Sequence, residues 1–370
     1  MHLLQVQEQE WNATEIHVSN RLFVKEKYQK LLLGYLRGPA PLFPLKDLHL
    51  SPQFESSLFL RLVAVYGQDF GTIYYMENHF EDVTGVRASL SDVNYLADDG
   101  IAGIVYLADR LGKPILVEGP AGTGKTQLAK SVAEMIDARL IRLQCYEGLD
   151  ESKALYEWNY KKQLLRIQAE GAGDWNEIED DIFSEEFLLT RPLLEAIRAE
   201  DRVVLLIDEV DRVEVETEAL LLEILSDYQV SIPELGTVEA NQVPLVFLTS
   251  NATRELSEAL KRRCLYLYID YPDLEREREI VLSKVPEIDE NLADRVARIV
   301  RSIRQLDLKK SPSVSETLDW ARTLVLLGIS KVDADTATET VNILLKYRTD
   351  IEKAIKEFAD SPDGLSGEEE

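Results

Sequence analysis

The eight residues 119–126, Gly-Pro-Ala-Gly-Thr-Gly-Lys-Thr, constrain the chain most, because they meet the pattern G-x-x-x-x-G-K-[ST] in full. A short apolar run at residues 114–118 precedes them, and residues 126–136 carry a helical pattern. Glycines let the backbone turn its N–H groups towards a phosphate, and the helix that follows adds its positive N-terminal end. The segment therefore predicts a strand, a phosphate-binding loop and a helix, in that order.

Side chains of this loop and of a second apolar run have defined roles in such a motif. Lys125 reaches the β- and γ-phosphates of a nucleotide, and the hydroxyl of Thr126 ligates Mg²⁺. The second run, residues 203–209, ends in Asp208 and Glu209. A buried strand delivers such acids to the carboxyl edge of a sheet, where ligands bind. We expect Asp208 to hold Mg²⁺ and Glu209 to accept a proton from the attacking water.

ATP and Mg²⁺ are therefore the predicted cofactors, and hydrolysis of ATP is the predicted reaction. The predicted metal ligands are Thr126 and Asp208. The residues expected to bind the nucleotide are Gly119, Pro120, Ala121, Gly122, Thr123, Gly124, Lys125, Thr126, Gln127 and Asp208.

Two further polar sites follow apolar runs. Asn251 is expected to hold the attacking water or to touch the γ-phosphate, although an asparagine at a turn explains this position equally well. Either Arg262 or Arg263 can reach the γ-phosphate of a neighbouring subunit and stabilise the charge of the transition state, the alternative being a solvated basic turn. Arg263 adjoins an apolar run that begins at Cys264, so its direction is the more fixed of the two.

The order of the patterns predicts the fold class. Strand-length apolar runs alternate with helical patterns up to residue 250, which predicts an α/β fold with a doubly wound parallel sheet. After Pro272 the pattern is helical, with a last helix over residues 334–358, which predicts a C-terminal helical lid domain. The predicted organisation is an N-terminal region (1–87), an α/β nucleotide-binding domain (88–271), the lid domain (272–358) and a disordered acidic tail (359–370).

Composition limits the classes of partner. The 370 residues have a formal net charge of −26, which argues against a protein that tracks nucleic-acid phosphates. We find no signal-peptide pattern and no apolar run long enough to span a bilayer. The two cysteines, Cys145 and Cys264, form no metal-binding spacing, so we expect free thiols in a reducing compartment and a cytoplasmic protein.

Together these motifs resemble an AAA+ ATPase module, and several segments resemble the MoxR family, in particular its CoxD-like branch. The resemblance spans residues 88–350. The segments that carry it are residues 142–150, 154–160, 259–266 and 269–272.

The resemblance implies a homo-oligomeric ring, usually a hexamer, with ATP at the subunit interfaces. It also implies a helical insert within residues 147–183 and a β-hairpin around residues 230–238. The implied partners are a protein client and a von Willebrand factor A-domain protein.

One position departs from the family pattern. Relatives carry an arginine that senses the γ-phosphate just after a Ser-Pro pair at the start of a lid helix, whereas Ser311-Pro312 is followed here by Ser313. Lys309 or Lys310 is the candidate substitute. If neither acts, closure of the lid on the nucleotide is weaker than in relatives.

Three hypotheses for function follow. The preferred one is a chaperone-like ATPase that remodels or matures a protein client, including assembly of a metalloenzyme. The second is a nucleic-acid-dependent AAA+ motor, against which the net charge argues. The third is an assembly scaffold that binds nucleotide with little turnover, which the missing arginine favours.

Overall fold

The computed structural model describes residues 79–170 and 182–360. Most of the predicted N-terminal region, residues 171–181 of the predicted insert and residues 361–370 lie outside these ranges. The strands are β1 (Ile115–Glu118), β2 (Leu140–Gln144), β3 (Tyr156–Trp158), β4 (Leu188–Thr190), β5 (Val204–Asp208), β6 (Gln229–Ile232), β7 (Gly236–Glu239), β8 (Leu245–Ser250) and β9 (Leu265–Tyr268).

The α-helices of the described residues are numbered in chain order. They are α1 (Val83–Asp92), α2 (Asp99–Leu111), α3 (Lys125–Met135), α4 (Glu151–Ala154), α5 (Tyr160–Glu170), α6 (Pro192–Ile197), α7 (Val215–Asp227), α8 (Glu258–Arg263), α9 (Leu274–Lys284), α10 (Glu290–Gln305), α11 (Val314–Leu326), α12 (Ala334–Leu344) and α13 (Arg348–Asp360). None of these helices is both long and apolar enough to cross a membrane.

A five-stranded parallel sheet forms the centre of the α/β part, in the order β2-β5-β8-β1-β9. Strands β5 and β8 are buried along their whole length, as expected for parallel strands that are covered on both faces. The predicted doubly wound parallel sheet is therefore confirmed. All five strands run the same way, so the residues that follow β1, β5 and β8 meet at one edge.

Alternate residues of the central strands β1, β5 and β8 pack into two different cores. Leu205 and Ile207 of β5 pack on the side that also contains α6 and α7. Val204 and Leu206 pack on the opposite side with α1, α2 and α3. The predicted boundary between residues 87 and 88 falls inside α1, whose Val86 and Leu90 are fully buried in this second core.

Helices α9 to α13 pack around a separate core that contains Trp320 and Phe358. The single helix predicted over residues 334–358 is wrong, because the chain forms two helices, α12 and α13. Leu345 takes an extended conformation (φ −112°, ψ 136°), which ends α12 and buries its side chain in this core. Helix α13 then continues to Asp360, two residues beyond the predicted end of the lid domain.

Two small antiparallel strand pairs pack against the α/β part. Strands β6 and β7 form the hairpin that was predicted around residues 230–238. Strands β3 and β4 pair within and just after the predicted insert, and α5 lies between them in sequence. Residues 171–181 of the insert lie outside the described ranges.

Candidate nucleotide site

The loop between β1 and α3 has the backbone that its glycines predict. Gly119 has φ +148°, and a Cβ there would lie 2.0 Å from the backbone oxygen of Ile269. Gly122 has φ +74°, and a Cβ there would lie 2.5 Å from the Cβ and Oγ of Ser313. Both positions therefore exclude side chains, through backbone conformation and through contact with the segments that follow β9 and precede α11.

Lys125 is held by the loop that it follows. Its Nζ donates hydrogen bonds to the backbone oxygens of Gly119 at 2.7 Å and Pro120 at 2.6 Å, and the side chain is almost fully buried. Burial lowers the pKa of the Lys125 ammonium, and the carboxylates of Asp211, Asp208 and Glu209 offset part of this shift. The Lys125 ammonium is therefore fixed against the backbone of the loop, within the electrostatic influence of three acids.

Asp208, at the end of β5, joins three elements. Its Oδ1 accepts hydrogen bonds from the hydroxyls of Thr126 at 2.9 Å and Thr249 at 2.5 Å. Its Oδ2 accepts from Nε of Arg142 at 3.1 Å and from Nη2 of the same guanidinium at 2.5 Å. The two residues predicted to ligate Mg²⁺, Thr126 and Asp208, are thus in direct contact.

Glu209 follows in an unusual conformation, the left-handed region with φ +59° and ψ +49°. Its backbone N–H donates to Oγ1 of Thr249 at 2.9 Å, which ties the turn to β8. Its carboxylate accepts from Nε2 of Gln144 at 3.2 Å and lies 2.8 Å from Nε of Arg212. The proposed base is therefore fixed on both its backbone and its side chain.

Asn251 follows β8 at the same edge of the sheet and is half-buried. Burial alone would raise the pKa of the neighbouring Asp211, but hydrogen bonds from Thr253 and from the backbone of Asn251 hold that pKa below its usual value. Oδ2 of Asp211 accepts from the backbone N–H of Thr253 at 2.9 Å and from its hydroxyl at 2.6 Å. The loop that contains Asn251 is therefore anchored to the turn after Glu209.

Four other residues predicted for the site make no hydrogen bond to its acids among the described residues. Gln127 is exposed and donates to Oγ of Ser131 in its own helix, and Ala121 is exposed in the loop. Arg262 is exposed and Arg263 half-buried, both in the last turn of α8. Within the described residues, no hydrogen bond or ion pair links either of these two guanidinium groups to the acids of the site.

The lid approaches the loop through Ser313, which caps α11 in a capping box with Glu316. The two candidate substitutes for the missing arginine are bound elsewhere. Nζ of Lys309 lies 4.3 Å from the centre of the Tyr347 ring, and Nζ of Lys310 donates to Oε1 of Glu316 at 3.2 Å. Both lysines therefore pair within the lid.

Sequence reasoning missed four residues that organise the site: Arg142, Gln144, Asp211 and Thr249. Arg142 and Gln144 are two residues apart on β2, so the period of a strand places them on one face. This period of two is the sequence signal that could have identified Arg142 and Gln144 as neighbours of the site. Thr249 could have been recognised from its place next to the end of β8, but nothing in the sequence distinguishes it from Ser250.

The donor set fits a nucleotide with a hard cation. The hydroxyl of Thr126 and the carboxylate of Asp208 are oxygen ligands of the kind that Mg²⁺ prefers. Among the described residues, no group of three or more His, Cys, Asp or Glu side chains could hold a metal by itself. A metal at this site would therefore depend on nucleotide phosphates for its remaining ligands.

Comparison with known proteins agrees with this geometry. Residues 114–264 match the family model of the AAA domain, dynein-related subfamily. The matched segment runs from the residue before β1 to the residue after α8, and so contains the loop, both acids and Asn251. Residues 114–264 are therefore similar to the AAA domain family, and the chain has the α/β P-loop fold of AAA+ type.

Individual proteins are similar to this chain at low sequence identity. An uncharacterized protein from a bovine strain of Staphylococcus aureus is 26% identical over 222 residues, which cover 58% of this chain and 76% of that protein. A similar protein from strain COL of the same species is 25% identical over the same shares. Among solved structures, the RuvB Holliday junction branch migration motor of Thermotoga maritima is 18% identical, with a TM-score of 0.40 and 69% of each chain covered.

Proposed function

We propose that this chain is an ATPase of MoxR type that hydrolyses ATP within an oligomeric ring, usually a hexamer, and uses the energy to remodel or mature a protein client. The observation that carries the proposal is the convergence of Thr126, Asp208, Thr249 and Glu209 at one edge of the sheet. Such an arrangement brings a phosphate loop, a metal-binding acid and a general base together.

Each residue has a role in the proposed reaction. The loop N–H groups and Lys125 bind the phosphates, while Thr126 and Asp208 hold Mg²⁺. When bound, Mg²⁺ neutralises charge on the phosphate oxygens. Glu209 accepts the proton of the attacking water, and Asn251 orients that water.

Arg263 of the neighbouring subunit, or Arg262, stabilises charge in the transition state. Either arginine is available for such a contact, because neither pairs with the acids of its own chain among the described residues.

Replacement of Glu209 tests the proposed chemistry. Glu209→Gln should keep nucleotide binding, because the loop and Asp208 are unchanged, and should lower turnover about 100-fold or more, since the base is lost. Glu216→Gln is a matched control on the exposed surface of α7. Turnover is measured as phosphate release and binding as fluorescence of a labelled ATP. Normal turnover of Glu209→Gln would remove Glu209 from its role.

The client is tested with the same variant. A Glu209→Gln ring that binds ATP without turnover should retain its client, which mass spectrometry of the captured material would identify. Capture of a von Willebrand factor A-domain protein or of a metalloenzyme subunit is the expected result. Recovery of nucleic acid alone would contradict the proposal, as would an intact wild-type ring with negligible turnover.

A further inference from the structure

Arg142 makes a contact that the proposed mechanism does not require. Its guanidinium places Nη2 at 2.5 Å and Nε at 3.1 Å from Oδ2 of Asp208, while the hydroxyls of Thr126 and Thr249 bond to Oδ1. A carboxylate has about four lone-pair positions. Four protein donors therefore occupy this carboxylate, and a metal ion or a metal-bound water must displace one of them.

The three side chains that supply these four donor groups differ in how readily they can leave. Thr249 is buried and also accepts the backbone N–H of Glu209, and Thr126 is fixed by the first turn of α3. The side chain of Arg142 is 46% exposed, whereas that of Asp208 is 4% exposed. A long exposed side chain can turn into solvent at little cost, so Arg142 is the donor that yields.

The contact is not needed to join the strands. Strands β2 and β5 already pair in parallel over five residues, from Leu140 opposite Val204 to Gln144 opposite Asp208. A half-exposed ion pair adds little to the stability of such a ladder.

Arg142 also reaches the second acid of the site. Its Nη2 donates to Oε1 of Gln144, whose Nε2 donates to Oε2 of Glu209. One exposed cation is therefore connected to both Asp208 and Glu209.

We propose that Arg142 is a positioning residue that competes with Mg²⁺ for Asp208 and so sets the metal affinity of the nucleotide site. This inference rests on the proposed nucleotide-binding function. The guanidinium fills Oδ2 until a metal accompanies the nucleotide, and it then turns away. Metal binding must therefore break the ion pair between Arg142 and Asp208, which neither the phosphate loop nor the pairing of the strands depends on.

The test measures metal affinity in the full chain, without turnover. Mn²⁺ is titrated into protein saturated with ADP, and free Mn²⁺ is measured by electron paramagnetic resonance. Arg142→Gln removes the competing charge, so Mn²⁺ should bind about fivefold more tightly, the upper range for a half-exposed ion pair. Arg142→Lys keeps the charge but cannot present two nitrogens to one carboxylate, so its Mn²⁺ affinity should lie between those of the wild-type chain and Arg142→Gln.

A matched control lies on the same segment. Arg139 immediately precedes β2 and pairs with Glu195 of α6, with both side chains exposed. Arg139→Gln removes the same charge away from Asp208 and should leave Mn²⁺ affinity unchanged. Circular dichroism and the binding of labelled ADP in EDTA show that each variant is folded and retains its loop.

The outcomes separate the two proposals. Tighter Mn²⁺ binding by Arg142→Gln, with the control unchanged, supports the inference. Equal or weaker Mn²⁺ binding by a variant that still binds ADP overturns it and leaves the nucleotide-binding function standing. An equal gain in Arg139→Gln would also overturn it, because net charge alone would then explain the effect. Failure of the wild-type chain to bind ADP at all would overturn both.

Discussion

Asp211 shows how a residue that does not touch the predicted metal ligands can still position the site. Its side chain is almost fully buried, and Oδ1 has no hydrogen-bond partner among the described residues, while Oδ2 holds Thr253. A buried carboxylate is costly unless it is paired. The two bonds from Thr253, together with the backbone hydrogen bond from Asn251, offset that cost and fix the loop that contains Asn251.

Removal of one of these bonds should weaken catalysis more than binding. Thr253→Val keeps the shape of the side chain but loses the hydroxyl, so Asn251 becomes less well fixed. We expect kcat to fall about tenfold with KM nearly unchanged, since one hydrogen bond to a charged group contributes about 1.5 kcal/mol. Steady-state phosphate release measures both constants.

The control for this variant is Thr323→Val in the lid. The hydroxyl of Thr323 is exposed and donates only to the backbone oxygen of Asp319. A rise in KM without a fall in kcat for Thr253→Val would contradict the positioning role of Asp211.

At the same scale, the sequence identifies residues whose chemistry is tied to a motif and misses residues that support them. The placement of Lys125, Asp208 and Glu209 at one edge of the sheet could be predicted because their types and spacing follow a known motif, while their catalytic roles remain proposals. Thr249 and Arg142 act through distances between strands that are far apart in sequence, 41 and 66 residues from Asp208. Such distances depend on strand order, which the pattern of apolar runs does not contain.

At the scale of elements, the first turn of α11 and the phosphate loop are in close contact. A Cβ on Gly122 would lie only 2.5 Å from the side chain of Ser313, which also caps its helix. The helical lid therefore contacts the loop through the short side chain of Ser313.

This contact predicts non-additive effects on stability. Gly122→Ala should lower the free energy of unfolding by about 2 kcal/mol, because φ is positive and the new Cβ meets Ser313. Ser313→Gly alone should cost only about a few tenths of a kcal/mol, because glycine is a fair N-cap. In the double variant the steric contact is relieved, so the combined loss should be smaller than the sum by about 1 kcal/mol. Urea denaturation measures each value.

Gly124 supplies the comparison that isolates the contact. It also has positive φ, +97°, but a Cβ there would meet nothing within 4 Å. Gly124→Ala should therefore combine additively with Ser313→Gly. If Gly122→Ala also combined additively with Ser313→Gly, the proposed steric contact between the lid and the loop would be contradicted.

The prediction of elements was accurate where a local signal marks their ends. The lid helices α9 and α10 begin after Asp273 and Asp289, which cap them, and both lie in the region after Pro272 that was predicted to be helical. The break between α12 and α13 was missed because residues 345–347 contain neither glycine nor proline. That break is set by the burial of Leu345, a tertiary effect.

At the scale of the whole molecule, the proposed ring requires that one site be built from two chains. Arg263 and Glu209 would then act in the same site while belonging to different subunits. The proposal implies that a single chain cannot form a complete active site.

Mixing of variants tests this requirement. Arg263→Ala and Glu209→Gln should each be inactive alone, yet mixed rings should recover activity at about a quarter of their sites, where an intact Glu209 meets an intact arginine. ATP turnover is measured after subunits are mixed in equal amounts and allowed to exchange. The same experiment with Arg262→Ala decides which arginine acts, and no recovery with either would argue against a shared site.

The backbone of Glu209 has a consequence for how far this fold can be stabilised. A glutamate in the left-handed region costs about 1 kcal/mol, a strain that glycine would not feel. Selection for thermal robustness alone would replace it, and a design method that optimises stability would do the same. Under the proposed role of Glu209 as the base, stability and turnover compete at this strained position.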